Sequence, residues 1–206
     1  MSAGAWALFG ALIGSRAATV MINFPYYQTH PGEIIQVWLG GLSGIGALAG
    51  GALSIFIISK WKNIDRGALA DALFPLAGTV MVTAWLGCWL DSCSYGFPSN
   101  AWWALPVKDE WGMTATRVPV QLIGALSTLA MVWLLEWATK RFPTCGLSAV
   151  IGLFGLSTEM FLLSFLRADP TPILNGLRLD AWGALVLMVL SAAGALIITI
   201  RLRLSK

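Results

Sequence analysis

Arg16, Asp71 and Glu159 are ionisable side chains set inside long apolar stretches of the sequence. A charge at the centre of a bilayer costs at least about 2.5–3.5 kcal/mol, so each implies a partner, a polar cavity or neutralisation. Arg16 and Glu159 fall near the middle of their stretches. Two roles are open to them: a mutual buried pair that fixes helix packing, or a site for a lipid phosphate. Asp71 lies about one turn from the end of its stretch, where snorkelling or backbone hydrogen bonds satisfy a carboxylate. Cys88 and Cys93, five positions apart, either close a disulfide on an oxidising face or remain buried, unreactive thiols. Cys145 reads as structural. His30 is the only histidine, so no histidine-based metal or haem site is expected. The expected cofactor list is empty apart from a bound phospholipid.

The elements that must carry these residues are membrane helices. Of 206 residues, 57% are hydrophobic and only 11% charged, and the mean hydropathy is +0.75. A soluble domain carries about 25% charged residues, so a soluble enzyme, a disordered tail and a nucleic-acid-binding module are all excluded. A net charge of +3 is too mild to signal polyanion binding. A bilayer core needs about 20 apolar residues per helix. Six stretches meet that need, at 4–24, 36–59, 67–90, 119–138, 145–166 and 181–200. The fold expected is an all-α membrane protein, one polytopic domain over residues 1–206 with an interfacial loop at 91–118. No cleavable leader is expected, because Arg16 interrupts the first apolar stretch and no Ala-x-Ala site follows a basic region.

Loop charge orients the bundle. Lys60, Lys62, Arg66, Lys140, Arg141, Arg201, Arg203 and Lys206 fall on one side, and Lys108, Arg117, Arg167 and Arg178 on the other. The positive-inside rule puts the larger group, and with it both termini, in the cytoplasm. Trp38 and Trp182 then fit an outer aromatic belt, and Trp6, Trp61, Trp133 and Trp137 an inner one. The run Gly40-Gly41-Leu42-Ser43-Gly44-Ile45-Gly46, continuing to Gly50-Gly51, lets helix backbones approach closely in lipid.

Several motifs occur in a familiar order: Gly14-Ser15-Arg16, Asn23-Phe24-Pro25, His30-Pro31, Val37-Trp38-Leu39-Gly40-Gly41-Leu42-Ser43, Ala70-Asp71-Ala72, Gly87 through Gly96, Arg117-Val118-Pro119-Val120-Gln121-Leu122 and Phe165-Leu166-Arg167. The series resembles the prolipoprotein diacylglyceryl transferase family over nearly the whole chain, beginning after that family's first transmembrane helix. The resemblance implies a bundle that binds phospholipid and moves a diacylglyceryl group from phosphatidylglycerol to a precursor's cysteine thiol. Such a reaction needs cations for the phosphate leaving group and a base for the thiol.

Matched motif by motif, the family's histidine falls on Ile45. Its signature arginine and asparagine fall on Trp85 and Cys88, its second asparagine on Asp91 and its glutamate on Cys93. Its arginine in the penultimate helix falls on Met160. Arg16, Asp71, Arg117, Pro119 and Gln121 match. The expectation that follows is a non-catalytic relative, a lipid-holding or accessory subunit of a larger membrane assembly. Its lipid-binding candidates are Arg16, Arg117, Gln121 and Glu159, and its partners are membrane lipids and other membrane proteins. The alternative is a divergent phospholipid-dependent transferase using Asp91, Cys93 and Arg117. A weaker third reading is a transporter with a polar path along Arg16, Asp71 and Glu159. The location expected is the bacterial cytoplasmic membrane.

Overall fold

A computed structural model describes residues 2–141 and 144–204, so Met1, Phe142, Pro143, Ser205 and Lys206 lie outside the described residues. Six long helices correspond to the six apolar stretches: α1 (Ala3–Ile22), α3 (Gly44–Lys62), α4 (Arg66–Leu90), α5 (Val120–Arg141), α6 (Leu147–Ser164) and α7 (Leu179–Leu204). All six are long and apolar enough to cross a membrane. A short helix, α2 (Phe24–Thr29), follows α1. Two small hairpins, β1–β2 (Leu105–Lys108 with Thr114–Arg117) and β3–β4 (Ile173–Leu174 with Leu177–Arg178), lie at the end of the bundle opposite the basic loops.

Ends are set by local chemistry. Ser2, Ser43 and Asp65 accept from the backbone amides of Ala5, Gly46 and Ala68 and so cap α1, α3 and α4. Asn63, in the left-handed region at φ 51°, ends α3. Asp71 accepts from the amides of Gly146 and Ala149 at 2.6 and 2.8 Å. A carboxylate inside α4 thus satisfies the orphan donors that begin α6.

The second apolar stretch, expected to be helical from residue 36, starts its helix only at Gly44. Residues 31–43 instead form two 3₁₀ turns, Pro31–Ile35 and Val37–Leu39, and a left-handed pair, Gly40 (φ 85°) and Gly41 (φ 68°). The reason is Arg16. Its guanidinium donates to the carbonyls of Glu33, Ile34, Gln36, Gly40 and Gly41 over 2.5–3.3 Å, and a helix through this segment would turn those carbonyls away. A Cβ on Gly41 would lie 3.1 Å from Arg16 Nη1, so both space and φ require glycine there.

Small residues let the helices close. A Cβ on Gly14 would lie 2.7 Å from the Gly50 Cα, placing α1 backbone against α3 backbone. Elsewhere a large side chain fills a glycine notch: Trp85 of α4 against Gly124 of α5, and Phe74 of α4 against Gly152 of α6. Phe74, Met81, Trp85, Val120, Ala125, Leu156 and Leu163 form the core that joins α4, α5 and α6.

Candidate functional site

Two cavities meet inside this framework. One, of about 280 Å³, runs between α1, α3, α4 and α6 and is almost wholly apolar, walled by residues such as Leu48, Ile55, Leu73, Phe74 and Leu156. The other, of about 290 Å³, opens toward the hairpin end and mixes apolar groups with Thr19, Asn23, Ser43, Ser94, Arg167, Asp169, Thr171 and Asp180. Gly44, Met81 and Ala84 wall both. An apolar chamber therefore joins a polar mouth, the shape that a two-tailed lipid presents.

A closed charge network forms the rim of the mouth. Arg167 reaches Asp169 at 2.6 Å and Asp180 at 3.0 Å, and Arg178 reaches both carboxylates at 3.1 Å. Arg178 also donates to the Asp169 carbonyl and to Thr171 Oγ1. Burial works against the Asp169 carboxylate, but the hydrogen bonds and charges of Arg167 and Arg178 outweigh it and hold its pKa below the usual range. Burial likewise opposes the Arg178 cation, and Asp180 and Asp169 outweigh it and hold its pKa above the ordinary value. The backbone locks the rim to the 91–118 loop: Phe97 N donates to Leu166 O, and Ala168 N to Tyr95 O.

The residues singled out by sequence do not gather at this mouth. Arg16 and Glu159 are not an ion pair. All five Arg16 N–H groups go to backbone carbonyls, which leaves none for a phosphate, whereas Glu159 accepts from the hydroxyls of Ser127 and Thr128 on α5. Arg117 is buried in the cap at the hairpin end, bonded to Asp109 at 3.1 Å and lying 4.8 Å from the Tyr95 ring centroid. Gln121, fully buried, donates to Cys93 O at 2.8 Å. Cys93 is disulfide-bonded to Cys88, so its sulfur is not available as an acid or base. Asp91 caps the end of α4 and is exposed. With Arg16, Asp71 and Glu159 each satisfied locally, no polar path connects them among the described residues.

Comparison with known proteins assigns the bundle. Residues 1–198 match the prolipoprotein diacylglyceryl transferase family. The chain belongs to that family. Similar proteins include phosphatidylglycerol–prolipoprotein diacylglyceryl transferases of Streptomyces griseus subsp. griseus (28% identical, covering 90% of this chain and 59% of the relative) and Bordetella avium (30%, 91% and 75%). Another is transferase 2 of Streptomyces coelicolor (31%, 94% and 64%). The chain thus spans less than two thirds of the length of two of these three relatives.

For a member of the diacylglyceryl transferase family, the make-up of the cavity at the hairpin end is informative. Ile45, Trp85, Cys88 and Met160, dispersed over 116 positions of sequence, all line it. These are the positions at which the motif series sets the family's histidine, arginine, asparagine and second arginine. Sequence reasoning missed Asp169 and Asp180 as the shared partners of Arg167 and Arg178. Their signal is the pattern Arg-x-Asp, which occurs at 167–169 and again at 178–180.

Proposed function

We propose that this chain is a phospholipid-dependent diacylglyceryl transferase of a bacterial cytoplasmic membrane, with both termini on the cytoplasmic side. The observation that carries the reading is the apolar chamber opening into a mouth that holds Arg167, Asp169 and Asp180, in a chain of this family. The acyl tails of a donor such as phosphatidylglycerol occupy the chamber, and its phosphate lies at the Arg167 guanidinium. An acceptor thiol loses its proton to the Asp180 carboxylate. The sulfur then attacks the glyceryl carbon that bears the phosphate oxygen, that C–O bond breaks, and glycerol phosphate leaves with the negative charge stabilised by Arg167.

The test uses purified protein, phosphatidylglycerol labelled in its head group, and a cysteine-containing lipoprotein-precursor peptide. Release of labelled glycerol phosphate with matching thioether formation is expected, and Arg167→Gln should slow it by about 10²–10³-fold, the effect of removing one such electrostatic group. A rate indifferent to Arg167 would overturn the assignment of the site. The apolar wall at Ile45 and Met160 favours a second reading, a lipid-holding accessory subunit. Lipid retained by the protein with no peptide modified, whatever the donor, would decide for that reading.

A further inference from the structure

At the opposite end of the bundle, Phe56 of α3 presents an exposed ring to two cations at once. Lys60 Nζ lies 4.9 Å and the Arg66 guanidinium carbon 4.6 Å from the ring centroid. The two are brought together without an acid between them. The nearest carboxylate in sequence, Asp65, is turned to the Ala68 amide at 2.8 Å and the Cys145 thiol at 3.0 Å, and neither cation forms an ion pair among the described residues. Two positive groups gathered about one aromatic ring, neither paired with a carboxylate, favour an anion beside them. The surroundings specify which kind. Trp61, largely exposed, pairs edge-on with Trp6 at 6.3 Å, as aromatic residues do at the level of lipid head groups. Ile55, next to Phe56, and Ala70, one turn after Arg66, both wall the apolar chamber.

We propose that the α3–α4 corner is a binding site for an anionic phospholipid, its phosphodiester held by Lys60 and Arg66 beside Phe56. The site is separate from the Arg167 mouth and does not depend on transfer activity.

Native mass spectrometry of protein released from phosphatidylcholine nanodiscs, with and without phosphatidylglycerol, tests it. Wild type should retain one more phosphatidylglycerol per chain than Lys60→Gln/Arg66→Gln, with phosphatidylcholine retention equal in both. Each basic residue near an anionic surface contributes about a fivefold preference, so the double change should weaken binding about 25-fold. The swapped pair Lys60→Arg/Arg66→Lys should keep the lipid, as should Lys140→Gln/Arg141→Gln, which removes equal charge elsewhere at the same end. Phe56→Leu keeps both charges and should weaken binding several-fold, so it decides the question if the double variant does not fold. Unchanged retention in Lys60→Gln/Arg66→Gln overturns the proposal. An equal loss in Lys140→Gln/Arg141→Gln also does so, because the effect would then be diffuse surface charge. Displacement by inorganic phosphate as readily as by phosphatidylglycerol overturns the lipid assignment. Arg167→Gln should leave this difference of one lipid intact, which separates the site from the transfer reaction.

Discussion

Arg16 is 7% exposed, and its charge is met by five carbonyl dipoles with no carboxylate. Removing the guanidinium leaves several inward carbonyls without a donor, each costing on the order of 1–3 kcal/mol when buried. Arg16→Met should therefore lower the detergent melting temperature strongly and free residues 31–43 to exchange amide hydrogens. Glu159→Met should act independently, because Glu159 and Arg16 share no hydrogen-bond partner. Losses that add in the double-mutant cycle are expected, and a coupling above about 0.5 kcal/mol would contradict the geometry. The need for partners was legible in the sequence from the cost of burying a charge. Their identity was not, since a backbone carbonyl leaves no mark on residue type. Asp169 adds a pH effect. Its pKa is lower folded than unfolded, so its contribution is complete above the ordinary carboxylate range and lost as pH falls through the lowered value. Melting temperature should stay flat near neutrality and drop below about pH 4, and Asp169→Asn should remove that acid step.

The six spans were legible because apolar length and charged interruptions are one-dimensional signals, and α4 (Arg66–Leu90) and α1 (Ala3–Ile22) lie within two residues of their expected limits. The start of the second span was not, because residues 36–43 carry no charge to break a helix yet follow the demands of a distant arginine. Glycine spacing marked a closely packed face on the second span without naming the helix it meets, which is α1, or which glycines face it. Gly50 does: a Cβ there would collide with the Gly10 carbonyl, whereas on Gly51 it would meet only the Ala11 Cβ at 3.8 Å. Gly50→Ala should therefore destabilise the bundle. Gly51→Ala should be neutral or gain up to about 1 kcal/mol from helix propensity. Paired thermal melts in one detergent check the contrast, and equal effects would mean that the helices do not meet at Gly50. The Cys88–Cys93 bridge closes a very short loop at the end of α4. Loop entropy then gives it about 2 kcal/mol, so reduction should lower the melting temperature modestly without unfolding the protein.

At the scale of the whole molecule, contacts gather the charged loops into two opposed ends. Cys145 touches Asp65 and Gly146 touches Asp71, so the α3–α4 and α5–α6 corners share one end. A Cβ on Gly146 would meet Ile198 of α7 at 3.6 Å, and Trp6 stacks edge-on to Trp61, which brings the last helix and the first to that same end. Lys60, Lys62, Arg66, Lys140, Arg141, Arg201 and Arg203 all lie there. The opposite end holds Lys108 together with Arg117, Arg167 and Arg178, the three arginines each paired with aspartate. The proposed orientation, which follows the positive-inside rule, has the seven of the first end facing the cytoplasm. In a Cys145→Ser background, which removes the exposed native thiol, a cysteine at Ser2 or Ser205 should react with a membrane-impermeant maleimide only after the cells are opened. A cysteine at Asn100, on the exposed outer cap, should react in intact cells. Reaction of Ser2→Cys in intact cells would invert the bundle, and the Lys60–Arg66 corner would then face the outer leaflet.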